Sequence, residues 1–294
     1  MKAKKHGFMD HVIIVYFLFA ILTMIVESIV SSFIDMPLAY VIPGYGTEME
    51  MAGMKVMTAS GVGSAVGALL MVGLFALIFR KEFDGMLGGK NLITGLLLLL
   101  PFLVFHWSGS VVSLIECGTG SVLIAFLRAF APGFGEEIAF RGIGVANYMR
   151  KNNTDKGVLT IFWLSSLFFG FFHILNFFAG APLFTAVIQS LYAAGVGMTL
   201  GAVYLRTGTL WPTIIGHLLV DFLEFIRADL SSSGGIMMGM TIGDWITIVA
   251  GVFAAGWALY LMRRSKRQEI IKLWDEKWKK EEIPAQEPEA APAE

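Results

Sequence analysis

The chain has 294 residues, a mean hydropathy of +0.69 and a net charge of −1. Charged residues make up only 15% of it, whereas soluble globular domains carry about 25%. This composition excludes a water-soluble fold and predicts an integral, multi-pass protein of the cell membrane. The balanced charge gives no sign of a nucleic-acid partner, and none is expected. The single cysteine, Cys117, excludes an intramolecular disulfide framework.

Apolar stretches suited to crossing a bilayer recur along the chain. A membrane-spanning helix needs about 20 predominantly apolar residues. The candidate stretches lie at residues 12–34, 56–79, 92–107, 120–150, 158–178, 183–205, 209–226 and 242–262. The fold predicted from them is all-α, a polytopic membrane bundle of about eight transmembrane helices. The fourth stretch contains Pro132-Gly133, which predicts a kink or break in that helix.

These stretches divide the chain into four regions. Residues 1–119 hold the first three predicted helices, residues 120–226 hold the next four, and residues 227–265 hold the last. Residues 266–294 are predicted to form a cytoplasmic amphipathic segment and a disordered tail. The amphipathic segment carries basic residues and tryptophans at helical spacing, which predicts a helix that lies on anionic membrane lipids.

The distribution of Lys and Arg predicts the orientation. With the amino terminus in the cytoplasm, eight helices return the carboxyl terminus to the same side. This arrangement places 18 of the 22 Lys and Arg residues in the cytoplasm, eight of them after residue 262. Cytoplasmic loops of membrane proteins carry an excess of these residues, so both termini are predicted to be cytoplasmic. The external segment 35–55, which contains Pro37 and Pro43, is predicted to be irregular.

Ionisable side chains inside the predicted helices are costly in lipid and are functional candidates by default. They are Glu27, His106, Arg128, Glu136, Glu137, Arg141, His173, His217, Asp221 and Glu224. At about 1.5 Å per residue, Glu136 and Glu137 lie roughly 20 Å from the cytoplasmic end of their helix. On the same scale, His173, His217 and Asp221 lie roughly 22, 15 and 21 Å from the cytoplasmic ends of theirs. Three helices are therefore predicted to bring carboxylates and imidazoles to one level.

Structural roles compete with functional ones for several of these residues. Glu137 and Arg141 are four residues apart and share a helix face, so an intrahelical ion pair is as well supported as a catalytic role. His173 alone would be interpreted as a core histidine, but the polar groups at its depth favour a role in a site. Others are predicted to line the bundle or to sit near an interface: Glu27, His106 and Glu224.

Three short motifs follow one another between residues 120 and 226. Residues 135–142 read GEEIAFRG and contain EExxxR, residues 169–173 read FGFFH and contain FxxxH, and residues 217–221 read HLLVD and contain HxxxD. Each motif alone is weak, but together, in this order and spacing, they resemble the CPBP family. This family comprises CaaX prenyl-endopeptidase-like and bacteriocin-processing intramembrane proteases.

The resemblance implies a polar, water-filled cavity inside the bundle in which a peptide bond is hydrolysed. The substrate would be a peptide or protein that reaches the cavity from the membrane or the cytosol. The residues implied to be catalytic are Glu136, Glu137, Arg141, His173, His217 and Asp221. Among them, Glu136 activates water together with His173. Glu137 and Arg141 support the site, and His217 stabilises the oxyanion together with Asp221.

A metal-dependent alternative stays open, because the family has also been described as metalloproteases. A zinc ion would then be held by Glu136, His173, His217 and Asp221, since carboxylates and imidazoles are zinc ligands. The compact HExxH motif is absent, so the spacing does not single out a metal site. One position departs from the prenyl-endopeptidase branch, which has Asn where this chain has Asp221. An ionised Asp accepts hydrogen bonds but does not donate them.

Two further functions are compatible with the same sequence. The first is a non-catalytic immunity or scaffold protein that keeps the family fold. The second is a transporter, since charges at the midplane also mark ion pathways. The intact glutamate pair and both histidines favour catalysis over a scaffold. No inverted repeat is evident, which argues against a transporter.

Overall fold

The structure is a computed structural model. It describes residues 11–43, 45–51, 54–58, 61–78, 91–107, 114–115, 118–178, 181–230, 236–237 and 240–279. Helices account for most of these residues, and in chain order they are α1 (Val12–Val41), α2 (Val62–Ile78), α3 (Leu92–Trp107), α4 (Thr119–Phe130), α5 (Ala146–Lys151), α6 (Asp155–His173), α7 (Leu183–Thr207), α8 (Trp211–Leu230), α9 (Ile242–Leu261) and α10 (Arg264–Lys279). The predicted helical bundle is confirmed.

Each predicted membrane stretch overlaps a helix of the described residues, although residues 56–58 of the second stretch belong to a strand. In the described part of the chain, four helical segments are long and apolar enough to cross a membrane. They are Val12–Val41, Asp155–Phe177, Leu183–Thr207 and Asp244–Leu261. The apolar helices α2 and α3 are shorter. These observations support an integral membrane protein.

Between α4 and α5 the helix is irregular at Pro132-Gly133 but does not break, so of the predicted kink or break only the break is excluded. The backbone stays helical but widens into π turns over Ala131–Glu136 and Ile138–Val145. A proline has no N–H to donate, and a local change to π geometry allows the freed backbone groups to find other partners. One continuous helical segment therefore carries Glu136, Glu137 and Arg141, and π turns are frequent at functional sites.

Two short antiparallel hairpins interrupt the helical pattern. Strands β1 (Thr47–Met51) and β2 (Met54–Thr58) pair with Thr47 opposite Thr58. Strands β3 (Ile236–Met237) and β4 (Met240–Thr241) form the second hairpin. The first hairpin falls partly within segment 35–55, so the irregular structure predicted there is wrong for its strands. Both hairpins follow helices that run away from the predicted cytoplasmic side.

Small residues on α7 allow its neighbours to approach closely. A Cβ atom added at Gly195 would lie 2.3 Å from the carbonyl oxygen of Gly251 on α9. A Cβ atom at Gly197 would lie 3.0 Å from the Phe169 ring on α6. The glycines thus let α7 form the centre of the bundle, as small residues do at helix contacts in membranes.

We expect Gly195→Ala to lower the free energy of unfolding by about 1–3 kcal/mol, because overpacking forces neighbouring backbones apart. Thermal unfolding of the purified protein in detergent measures the effect. Gly256→Ala on α9 is the matched control, since no atom lies within 4 Å of its Cβ position. An equal melting temperature for both variants would contradict the close contact.

The carboxyl-terminal helix α10 packs on the bundle through Trp274, one of the tryptophans predicted to contact lipid, while the predicted position of α10 at the membrane surface stays a prediction. Trp274 is completely buried, and its indole N–H donates a 2.8 Å hydrogen bond to the carbonyl oxygen of Leu205. The Lys277 ammonium donates to the carbonyl oxygen of Gly208, just after α7. The last carbonyls of a helix lack intrahelical partners. The carbonyl oxygens at the end of α7 can therefore accept hydrogen bonds from Trp274 and Lys277, which lipid chains cannot do. The predicted disordered tail lies outside the described residues.

Candidate functional site

The three sequence motifs meet inside the bundle. The π-helical segment brings Glu136 and Glu137, α6 ends at His173, and α8 brings His217 and Asp221. His217 is the central contact, because its ring lies 2.9 Å from Glu137 and within 4.0 Å of a Glu136 oxygen. Side chains from two separate helices thus contact each other directly.

Glu137 and Arg141 form an ion pair that is fully buried. Arg141 Nη1 donates to Glu137 Oε1 over 2.7 Å, and Nη2 donates to the carbonyl oxygen of Gly197 over 3.1 Å. The guanidinium also lies over the ring of Phe169, 4.5 Å from its centre. Buried charges are tolerated when they are paired and hydrogen-bonded. The intrahelical ion pair predicted from the spacing is therefore present, and it holds Glu137 in place.

The hydrogen bond to Glu137 fixes the orientation of His217. A carboxylate oxygen accepts, so the ring Nδ1 carries a hydrogen and donates to Glu137 Oε1 over 2.9 Å. The opposite nitrogen, Nε2, lies 3.6 Å from Asp221 Oδ2 and 4.0 Å from Glu136 Oε2. Three carboxylates therefore surround one buried imidazole.

His173 is oriented by the main chain of its own helix. Its Nδ1 lies 2.8 Å from the carbonyl oxygen of Phe169, one turn earlier. Because a carbonyl oxygen only accepts, Nδ1 carries the hydrogen. The Nε2 atom of a neutral ring is then the position that can accept a proton or bind a substrate group.

Two adjoining cavities reach these side chains. The first cavity, of about 290 Å³, is lined by Glu136, His173 and Asp221 among others. The second cavity, of about 450 Å³, is lined by His173, His217 and Asp221 among others. The Glu136 side chain is 35% exposed, and its Oε2 makes no hydrogen bond to any described residue. Glu136 and His173 are therefore the groups available for chemistry, while Glu137 and Arg141 lie behind them.

His106 and Glu224 were predicted to lie near an interface or to line the bundle, and in the structure they contact each other. His106 is only 3% exposed, and its Nε2 lies 3.3 Å from Glu224 Oε1. Its Nδ1 lies 3.3 Å from the hydroxyl oxygen of Tyr192. A buried imidazole takes polar partners within the bundle, because none are available in lipid. Glu224 also lines the second cavity.

Glu27 is the residue that the sequence argument undervalued. It was expected to lack polar neighbours, yet it lines the first cavity together with Glu136, His173 and Asp221. The same depth argument places it roughly 22 Å along α1 from Val12, at about 1.5 Å per residue. That is the level of the other site residues, so depth was one signal for Glu27, although depth does not show that α1 faces the site.

The zinc alternative was tested against the positions of its predicted ligands. Zinc bonds to nitrogen and oxygen are about 2.0–2.2 Å long. Two ligand atoms of one tetrahedral ion therefore lie roughly 3.4 Å apart. The Nε2 atom of His217 meets this spacing only towards Asp221, at 3.6 Å. Among the described residues, no group of three His, Cys, Asp or Glu side chains is placed to hold a metal ion. These residues do not fit a metal ion as they stand, and the zinc site stays a prediction.

Comparison with known proteins agrees with the motifs. Residues 118–223 match a family model described as Rce1-like, type II CAAX prenyl endopeptidase Rce1-like. The match covers just over a third of the chain and contains all six predicted site residues. It confirms the resemblance to the CPBP and CAAX protease family. No curated protein and no solved structure matches the chain significantly.

Proposed function

We propose that the protein is an intramembrane endopeptidase of the CAAX-protease type, which hydrolyses a peptide bond with water activated by Glu136 and His173. The observation that carries the proposal is the division of labour between the two neighbouring glutamates. Glu137 is completely buried and held by Arg141 and His217, whereas the Glu136 side chain is 35% exposed and lines a cavity.

The first step is the attack of water on the peptide carbonyl carbon. Glu136 takes one proton from the water, and the resulting hydroxide oxygen forms the new bond to carbon. His173 orients this water through Nε2, because its Nδ1 is bound to the main chain. General bases placed in this way contribute about 10²–10⁴-fold to a rate.

The negative charge that develops on the carbonyl oxygen needs a hydrogen-bond donor. His217 supplies it from Nε2, since Glu137 holds Nδ1 and the surrounding carboxylates stabilise the protonated ring. Asp221 then has no need to donate, which explains how an Asp serves where the prenyl-endopeptidase branch has Asn. Donors aimed at a developing oxyanion are commonly worth about 10²–10³-fold.

Cleavage of peptides by the purified protein tests this proposal. The wild-type protein and Glu136→Gln are incubated in detergent with a peptide mixture, and new termini are identified by mass spectrometry. Peptides with and without a prenyl group decide the substrate class. Chelator treatment followed by added zinc tests the metal alternative, because a zinc enzyme loses activity and regains it. A folded wild-type protein that cleaves nothing would favour the scaffold function.

We expect both termini to lie in the cytoplasm. Contacts between helix ends on the side with most of the Lys and Arg residues support this. Asn91, just before α3, donates to the carbonyl oxygen of Thr207, and Asn153, just before α6, donates to that of Ile271. Helix α10 with its Lys and Arg residues thus lies beside the ends of α6 and α7. Reporter fusions before residue 1 and after residue 294 measure the orientation. A carboxyl-terminal fusion that is active outside the cell would contradict it.

A further inference from the structure

We propose that Glu27 is a second catalytic carboxyl group, which donates the proton that the leaving amine requires. The inference rests on the proposed function, because it completes the same hydrolysis. It concerns a residue on α1, outside the segment 118–223 that matches the protease family.

Glu27 faces the cavity in which Glu136 lies. The face of α1 that lines this cavity consists of Ala20, Thr23, Met24 and Glu27. The carboxyl group of Glu27 makes no hydrogen bond or ion pair with any residue that the structure describes. Its polar atoms are therefore available to a substrate in the cavity.

Two glycines fix the position of Glu27 relative to the site. A Cβ atom added at Gly135, the residue before Glu136, would lie 2.7 Å from Cγ2 of Thr23, one turn before Glu27. A Cβ atom added at Gly67 on α2 would lie 3.1 Å from Cα of Glu27. Helix α1 thus packs closely against α2 and against the segment that carries Glu136, and Glu27 lies beside the cavity that Glu136 lines.

The surroundings of the two carboxyl groups differ. Glu136 Oε2 lies 4.0 Å from Nε2 of His217, an imidazole that can carry positive charge. Glu27, by contrast, makes no ion pair with a His, Lys or Arg residue among those the structure describes. Acid and base pairs in enzymes are built from two groups whose surroundings favour opposite protonation states. This difference assigns the base to Glu136 and the acid to Glu27.

The step balances as follows in protons and bonds. The water oxygen bonds to the carbonyl carbon while one water proton passes to Glu136. The carbon–nitrogen bond then breaks as the proton of Glu27 passes to the leaving nitrogen. Glu136 now holds one extra proton and Glu27 has lost one. Transfer of that proton across the cavity restores both groups.

Substrates with different leaving groups test the role of Glu27. Glu27→Gln is compared with the wild-type protein on a peptide and on the matching arylamide, whose weakly basic leaving group needs little help from an acid. We expect kcat on the peptide to fall about 10²–10⁴-fold with KM unchanged, and a much smaller fall on the arylamide. Glu136→Gln should lose activity on both. Glu27→Asp, which keeps a carboxyl group, should regain part of the rate.

Ser28→Ala, at the neighbouring exposed position on α1, is the matched control and should behave as the wild-type protein. Unchanged peptide hydrolysis by Glu27→Gln, an equal loss on both substrates, or a rise in KM alone would overturn the proposal. If Glu27→Gln fails to fold, Glu27→Asp is measured on the peptide and on the arylamide instead. A ratio of the two rates equal to that of the wild type overturns the proposal. The proposed function itself fails only if the wild-type protein cleaves nothing or Glu136→Gln keeps full activity.

Discussion

Replacing Glu136 with Gln should abolish peptide hydrolysis and leave the protein folded. Gln has nearly the same shape as Glu but cannot accept a proton from water, so the change removes the base without opening a cavity. We expect a loss of about 10²–10⁴-fold in kcat. His173→Ala should lose activity to a similar degree, because the water is then no longer oriented.

The measurement pairs initial rates with a melting curve for each variant. Glu269→Gln is the matched control, since this Glu lies on α10 in a surface ion pair with Lys266 and exposed pairs contribute little. Its rate should equal that of the wild type. Full activity in Glu136→Gln, on a substrate that the wild type cleaves, would contradict the role of Glu136 as the general base.

Replacing Arg141 with Ala should lower stability as well as rate. Arg141 and Glu137 are both completely buried, so the change leaves a carboxylate without its cation. Removing one partner of a buried ion pair costs about 3–5 kcal/mol, whereas replacing both partners by apolar or neutral groups costs far less. The double variant Glu137→Gln with Arg141→Met should therefore recover most of the stability but not the activity.

Unfolding in detergent separates these outcomes. The single variant should melt well below the wild type, and the double variant should melt between the two. Because His217 donates to Glu137, the double variant should stay inactive even when folded. A double variant as unstable as Arg141→Ala would show that the charge of Glu137 is not the cause.

Position along a helix could be predicted from the sequence, and it located much of the candidate site. The rise per residue sets depth, so Glu136, His173 and His217 were expected at one level, and they line two adjoining cavities, with His173 in both. Depth does not say which helices touch. The contact that carries Glu27 into the cavity joins Thr23 to Gly135, far apart in the chain, and no local pattern marks it.

Two other features show the same limit. Pro132-Gly133 predicts an irregular helix, but a break and a π turn are both compatible with this dipeptide. The packing against neighbouring helices decides between them. An amphipathic helix with tryptophans fits lipid or protein alike. The acceptor for Trp274 is a carbonyl of Leu205, which the sequence of α10 does not reveal.

The packing of α10 has a consequence for the biosynthesis of the protein. Chains are made from the amino terminus and tend to fold in that order, so α10 leaves the ribosome after every helix it contacts. The start of α6 and the end of α7 therefore stay uncovered until α10 folds, when Asn153 donates to Ile271 and Trp274 donates to Leu205. Messages truncated before codon 264 would yield proteins in which this end of the bundle is uncovered. Such an end is a ready target for the proteases that survey membrane protein assembly.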